Sequence, residues 1–262
     1  MGKMQILYSI ADPAGVNIAR SLKSIIEKGD SDISEKNLTE VKESLLYSDD
    51  LVRKIEDEFI LFASKHKSES GKPSFTVHVP GNWGKADMGG KDKEISFSDP
   101  IRMKTIITLL NERNRQKKLE MNISMEVDHH GPFCMRPCAF VEIGSSEKEW
   151  KNHKYAELIA EIINEFEEYM EKIEVKEISV GVGGGHYCPA FNKHEIEGKI
   201  AFAHIIPNYA VDNLEYPTFT QAFERCSEEV ENVYIDWKGL KQEQRKKIIE
   251  FCNEYGVEYK RI

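Results

Sequence analysis

Apolar and polar positions along the chain switch between a two-residue and a helical period, and each switch marks an element. Met4–Ile10 is β-rich and reads as a strand. Asp12–Glu27 then takes a helical period, opened by Asp12 as N-cap and Pro13 at the first helical position. Lys28–Glu40 is polar without a period and reads as a loop. Ser44–Tyr47 reads as a short strand, Asp49–Asp57 as a helical turn, and Glu58–Ser64 as a buried strand. A charged loop, Lys65–Lys72, precedes a strand at Phe75–Val79. The Gly-, Asn- and Pro-rich segment from Pro80 to Glu94 is long for a plain connector.

The second half continues the alternation. Ile101–Lys117 is an amphipathic helix, and Met121–Val127 and Cys138–Ile143 are strands on either side of a His-His-Gly-Pro loop. Ser145–Glu147 opens a long helix reaching Lys172, with Ser146 and Glu149 spaced as a capping box. Strands follow at Ile178–Val182, Ile200–Ile206 and Val233–Trp237, with helices at Thr218–Val230 and Leu240–Tyr255 and a short terminal strand. Strands alternating with helices predict an α/β fold: one domain over residues 1–262, with a mixed, largely parallel sheet covered by helices on both faces.

Composition narrows the setting. With 262 residues, 40% hydrophobic and 31% charged, the chain can bury a sizeable core and has no apolar run near the roughly 20 residues of a membrane span. The first residues lack the basic region and cleavage site of a secretory signal. The 5 cysteines are odd in number and mostly scattered, so reduced thiols in a cytoplasmic protein are expected. Cys134 and Cys138 are one short-spaced pair where a structural zinc site usually needs two. A net charge of -9 argues against broad nucleic-acid binding but leaves room for local basic patches: Lys65, Lys67 and Lys72, or Lys85, Lys91 and Lys93.

The chemistry gathers where strands end. His66, His78, His129, His130, His186 and His204, six of the 8 histidines, lie in or beside such segments, where α/β folds build their sites. Adjacent His129 and His130 can meet one site only if the chain turns, and Gly131–Pro132 supplies a turn; they read either as metal ligands with a partner base or as turn residues bonded to backbone. The Gly183–Gly185 run before His186 and Tyr187 lacks the ending of a P-loop and the following helix of a dinucleotide site. It is either an amide cradle for an oxyanion or a close-packed turn. Glu142, between Val141 and Ile143, is solvated or else buried with a partner; Glu126 and Asp128 share a strand side and raise the same question. His153 and His194 are read as surface residues. No nucleophile elbow is present.

Taken in order, FASKH, TVHVPGNWGKADMGGKD, HHGP, FVEIGSSEKEW, VGVGGGHYCP, GKIAFAHIIPNYA and VYIDWKG resemble the archaeal- and plant-type, zinc-binding D-aminoacyl-tRNA deacylase (D-tyrosyl-tRNA deacylase) family from about Glu58 onward. Asp128 and Phe133 depart from the family pattern, and Lys28–Glu58 does not align. The resemblance implies a phosphorylase or peptidyl-tRNA hydrolase-like fold and hydrolysis of the D-aminoacyl-tRNA ester to free D-amino acid and tRNA. It implies Zn2+ as cofactor. The expected metal ligands are His129, His130 and His186, with His78 as ligand or base. Glu142 would orient a histidine or take a proton from water, and the Gly183–Gly185 amides, Gly184 central among them, would hold the oxyanion. His66, Asn82, Lys85, Tyr187 and His204 are assigned to substrate, with Trp83 stacking on the terminal adenine. A monomer without an obligatory protein partner is expected. The competing readings are a peptidyl-tRNA hydrolase-like or other metal-assisted hydrolase, a non-catalytic tRNA- or metal-binding module, and a nucleoside phosphorylase.

Overall fold

The computed structural model describes residues 4–69 and 71–262. Met1 to Lys3, part of the stretch weighed as a secretory signal, and Ser70, inside the expected Lys65–Lys72 loop, lie outside the described residues. In chain order the elements are β1 (Met4–Ser9), α1 (Pro13–Glu27), β2 (Leu38–Val41), α2 (Asp49–Val52), β3 (Phe59–Lys67), β4 (Ser74–His78), α3 (Pro100–Lys117), β5 (Asn122–Met125) and β6 (Cys138–Ser145). Then come α4 (Glu147–Trp150), α5 (His153–Tyr169), β7 (Glu177–Val182), α6 (Pro189–Ile196), β8 (Ile200–Ile206), α7 (Asn208–Val211), α8 (Tyr216–Glu224), β9 (Asn232–Ile235), α9 (Gln242–Tyr255) and β10 (Glu258–Arg261).

Capping chemistry sets several boundaries where expected. Asp12 accepts from the amides of Ala14 and Gly15 and starts α1. The capping box of Ser146 and Glu149 forms, but it caps only the short α4; Asn152 then accepts from the Lys154 amide and starts α5 afresh. The single long helix predicted to Lys172 is therefore two. Other expectations also shift. Ser44–Tyr47 contains a 3-10 turn (Leu45–Tyr47) rather than a strand, and the polar 28–40 segment hides β2, held to β1 as a parallel edge. Pro189 begins α6 where no helix was expected, and α8 stops at Glu224.

The strands divide into two sheets rather than one. The larger runs β2-β1-β3-β6-β4-β5, parallel except where β4 meets β6. The smaller, β10-β9-β7-β8, is wholly parallel. On one face of the large sheet Leu61, Ala63, Phe75, Val77, Val141 and Ile143 pack with the apolar sides of α1, α3 and α5. The opposite face is divided. Its lower half is apolar, with Ile60, Phe62, Cys138 and Phe140 packed on Leu45, Val52 and Cys134. Burial on both faces explains why β3 reads as an unbroken apolar run. Its upper half is polar, carrying Ser64, His66, Thr76, His78 and Glu142 on neighbouring strands. No helix among the described residues is long and apolar enough to cross a membrane.

A buried polar tie joins α3 to the smaller sheet. The Lys104 ammonium donates to the carbonyls of Glu195, Gly198 and Ile200. Beside it the Glu195 carboxyl accepts from the Phe202 amide at 2.8 Å, while its other oxygen has no partner. Burial pushes Glu195 up to about 7, with Lys104 opposing. The folded state thus keeps a proton that the unfolded chain releases near 4.5, so stability is fully present below 4.5 and is lost as pH rises through about 7. Unfolding of Glu195→Gln is expected to gain on the wild type by on the order of 3 kcal/mol across that window. Stability curves that stay parallel from pH 4 to 8 would show that this carboxyl is not held protonated.

Candidate active site

The site lies on the polar half of the large sheet's second face, not only in loops at strand ends. Strand β3 runs three residues beyond the expected Ser64, which carries His66 onto the sheet opposite Gly144. Glu142 on β6 is flanked by Ser64 and Thr76, and His78 stands opposite Phe140 and stacks on its ring at 5.0 Å. Two loops bring further site residues over this floor. After β5 the chain brings in Glu126, then His129 and His130. His130 is left-handed (φ 45°), which turns both rings toward the same cleft, with their centroids 4.2 Å apart. The glycine run after β7 delivers His186 and Tyr187.

At the centre is the Glu126 carboxylate, fully buried. One oxygen lies 3.0 Å from His66 Nδ1; the other lies 3.3 Å from His186 Nε2, 3.6 Å from His129 Nε2 and 3.9 Å from His78 Nε2. None of these contacts has hydrogen-bond alignment, and both Glu126 oxygens and His78 Nε2 are without a hydrogen-bond partner. Three imidazoles are oriented by backbone. His78 Nδ1 faces the Val79 carbonyl at 3.2 Å, His129 Nδ1 the Val127 carbonyl at 2.8 Å and His130 Nδ1 the Gly131 carbonyl at 2.6 Å. A carbonyl can only accept, so each Nδ1 carries a proton, and wherever the ring is neutral Nε2 offers its lone pair. Three donor sets have ligand atoms within 4.8 Å of one another: His78, His129 and His130; His66, Glu126 and His186; His78, Glu126 and Glu142. The trio His129, His130 and His186 is not one of them; His78 stands beside the adjacent pair, and His186 groups with Glu126.

The imidazoles divide electrically. Burial depresses His129 well below its ordinary range, and neighbouring imidazoles add to it; burial and His78 bring His130 down to about 3. Both are neutral near pH 7. Burial also opposes charge on His66, but Glu142 and Glu126 outweigh it and raise His66 to about 10; the same carboxylates raise His78. Glu142 is held well below the usual carboxylate range: burial raises it, but His66 and His78 prevail. His66 Nε2 also meets the Tyr187 hydroxyl at 2.8 Å. A cleft of about 390 Å³ opens over this floor, lined among others by Asp12, Leu46, Lys65, Met88, His130 and Glu142.

Several expected site residues lie elsewhere. Trp83 is 3% exposed in the apolar cluster with Ile95, Val182 and Phe219, so it cannot stack on an incoming base. His204 spends both nitrogens, on Asp128 at 2.7 Å and on the Arg225 carbonyl at 3.0 Å, and ties the two sheets together. Asn82 donates to the Gly89 carbonyl and braces its own loop. Lys85 is exposed beside Asp87. The Gly183 amide is already bonded to the Ile206 carbonyl, and Gly184 packs on Cys188 and Asp236, so the expected oxyanion cradle is incomplete. Cys134 and Cys138 are buried in the apolar half of the face and belong to none of the donor sets among the described residues. Conversely, Glu126 takes the centre although the alternation grouped it with Asp128; β5 ends at Met125, and the two acids then part. Ser44, Leu45 and Leu46, from the segment that aligned poorly, supply one wall.

Buried imidazoles and carboxylates converging under a small-molecule-sized cleft on an α/β scaffold define a hydrolase-type site. The comparisons with known proteins agree. A profile described as D-aminoacyl-tRNA deacylase matches residues 53–260. A D-aminoacyl-tRNA deacylase of Pyrococcus furiosus is 41% identical over 224 residues, 83% of this chain and 80% of its own length. One from Archaeoglobus fulgidus is 36% identical over 97% of this chain and 94% of its own. One solved structure, described as a conserved protein of unknown function, is 33% identical and superposes with a TM-score of 0.85, covering 99% of this chain and 95% of that one. The chain belongs to the D-aminoacyl-tRNA deacylase family.

The divided imidazoles generate a pH test. A raised His66 contributes stability that is fully present below 6.5 and lost as pH rises through about 10. In chelator-treated protein, the stability lost in His66→Gln is expected to be largest near pH 6 and to shrink toward pH 10. A difference that stays constant over that range would mean His66 is not charged in its carboxylate setting.

Proposed function

We propose that the chain hydrolyses the ester of D-aminoacyl-tRNA, releasing free D-amino acid and tRNA. Family membership supports the substrate, and the observation that carries the chemistry is the buried Glu126 carboxylate, without a hydrogen bond among four imidazoles. A carboxylate buried this way is costly unless a cation or proton meets it.

Zn2+ fits the donor set. His129 and His130 offer Nε2 lone pairs with Nδ1 pinned to carbonyls, His78 would offer its own on giving up the Nε2 proton that the carboxylates favour, and one Glu126 oxygen, free of hydrogen bonds, would join them. Held there, the ion supplies Lewis acidity toward the ester carbonyl.

The chain's own groups do the rest. The Glu126 oxygen that would not face the ion, also free of hydrogen bonds, accepts a proton from the attacking water. Glu142 fixes His66 and His78 from the floor and is a positioning residue. His66, held as imidazolium between the two carboxylates, places positive charge beside the developing oxyanion and has a proton for the departing ribose oxygen. Water's oxygen bonds to the carbonyl carbon as the carbon–ribose oxygen bond breaks.

In an assay on matched D- and L-aminoacyl-tRNA, the wild type is expected to turn over the D form at least 100-fold faster. Glu126→Gln is expected to lose at least 100-fold in kcat/KM with an unchanged circular dichroism spectrum. His129→Ala is expected to lose bound zinc by elemental analysis as well as activity. Near-normal turnover by the Glu126 variant would remove that residue from the chemistry, and preference for N-acylated substrates would move the chain to the peptidyl-tRNA hydrolase class.

A further inference from the structure

We propose that Cys134 and Cys138 form a reversible oxidation site, a dithiol that hydrogen peroxide converts to an intrachain disulfide. The pair lies in the apolar half of the sheet face, outside the catalytic floor, so the inference stands whether or not the chain is a deacylase. Of the 5 cysteines only these two are close in the chain, with Met135, Arg136 and Pro137 between them.

The fold brings the thiols together by strapping both ends of that segment to one residue. The Phe97 amide donates to the Cys134 carbonyl at 2.9 Å, and the Cys138 amide donates to the Phe97 carbonyl at 3.0 Å. Ser96 tightens the strap. Its hydroxyl accepts from the Cys134 amide at 2.9 Å and donates to the Pro132 carbonyl at 3.0 Å. Pro137, paired with Phe97, fixes the backbone just before Cys138. Both side chains then enter one apolar cluster, against Leu45, Val52, Phe62 and Phe140, where the two thiols meet. A disulfide requires two backbones held near one another with their side chains facing, which this strap provides.

The two sulfurs are not equivalent. The hydrogen bond with Cys138, aided by the Arg136 amide and guanidinium, outweighs burial and holds Cys134 below the ordinary thiol range. Burial pushes Cys138 well above it. Cys134 is therefore the attacking sulfur and Cys138 the resolving one. Met135 is 58% exposed, so the intervening segment meets solvent, and a cleft of about 250 Å³ lined by Val52, Phe133, Met135 and Arg136 opens beside it. Such an approach suits a small oxidant. The Cys134 sulfur attacks one peroxide oxygen as the O–O bond breaks, and the hydroxide released takes the Cys134 proton and leaves as water. The Cys138 sulfur then attacks the sulfenic sulfur of Cys134. The S–O bond breaks, and the departing hydroxide takes the Cys138 proton as a second water. Two thiols are oxidised and one peroxide is reduced. The new bond closes the segment by which the His129–His130 loop enters β6, the strand of Glu142.

The test treats the folded full chain with hydrogen peroxide in chelator-containing buffer, then denatures it in an alkylating agent and maps the cysteines by mass spectrometry. In the wild type Cys134 and Cys138 are expected to be the first of the 5 thiols lost, within one peptide about 2 Da lighter than its reduced form. Dithiothreitol is expected to restore both. In Cys138→Ser the reaction is expected to stop at a sulfenic acid on Cys134, which dimedone captures, whereas in Cys134→Ser the Cys138 thiol stays reduced. Thermal melts report the folding of each variant, and the wild-type map depends on neither. Loss of Cys226 before the pair, a pair that stays reduced until the chain unfolds, or dimedone capture at Cys138 in Cys134→Ser overturns the proposal.

Discussion

The arrangement turns on one carboxylate that the fold buries without giving it a hydrogen bond. Glu126 sits at the centre of His66, His78, His129 and His186, each near enough to interact and none aligned to satisfy it. Such a group survives in a folded protein only where neighbouring charge compensates it. His66 provides part of that charge, while His129 and His130 are held neutral and offer lone pairs instead. Charge on one side and lone pairs on the other are what an ester hydrolase needs around a reacting carbonyl.

The scaffold makes this possible by dividing one sheet face. The lower half, built on Phe62 and Phe140, is an ordinary apolar layer that fixes the strands. The upper half replaces those positions with Ser64, His66, Thr76, His78 and Glu142 and is roofed by loops tied to both sheets. The tie is made by neighbours of the site residues: the Val127 amide bonds to the His186 carbonyl, and Asp128 holds both the Ile205 amide and His204. His204 thus acts at a distance from the cleft by keeping the two sheets in register.

Much of this was legible in the sequence, for identifiable reasons. Asp12–Pro13 and the Ser146–Glu149 box carry local chemistry that sets helix starts wherever they occur, and the clustering of histidines near strand ends pointed to the cleft. What was hidden depended on tertiary context. Alternation assigned Glu126 and Asp128 alike because it assumed that the strand continued past Met125; where pairing stops, side-chain direction is no longer tied to parity. Trp83 stood in a polar, glycine-rich loop, yet packs into the smaller sheet's core. The division of strands between two sheets leaves no trace in periodicity, and β2 is a four-residue edge whose pairing comes from β1.

Family membership accounts for the order of the sequence blocks, and the geometry supplies a physical reason for their contents: each block delivers either a group around Glu126 or a brace for one that does. The most direct test is diffraction from crystals grown with zinc, recorded on both sides of the zinc absorption edge. The account expects an anomalous peak about 2 Å from Glu126 and the Nε2 atoms of His78 and its neighbours. An active protein whose crystals show no peak there, or show it only at Cys134 and Cys138, would contradict it.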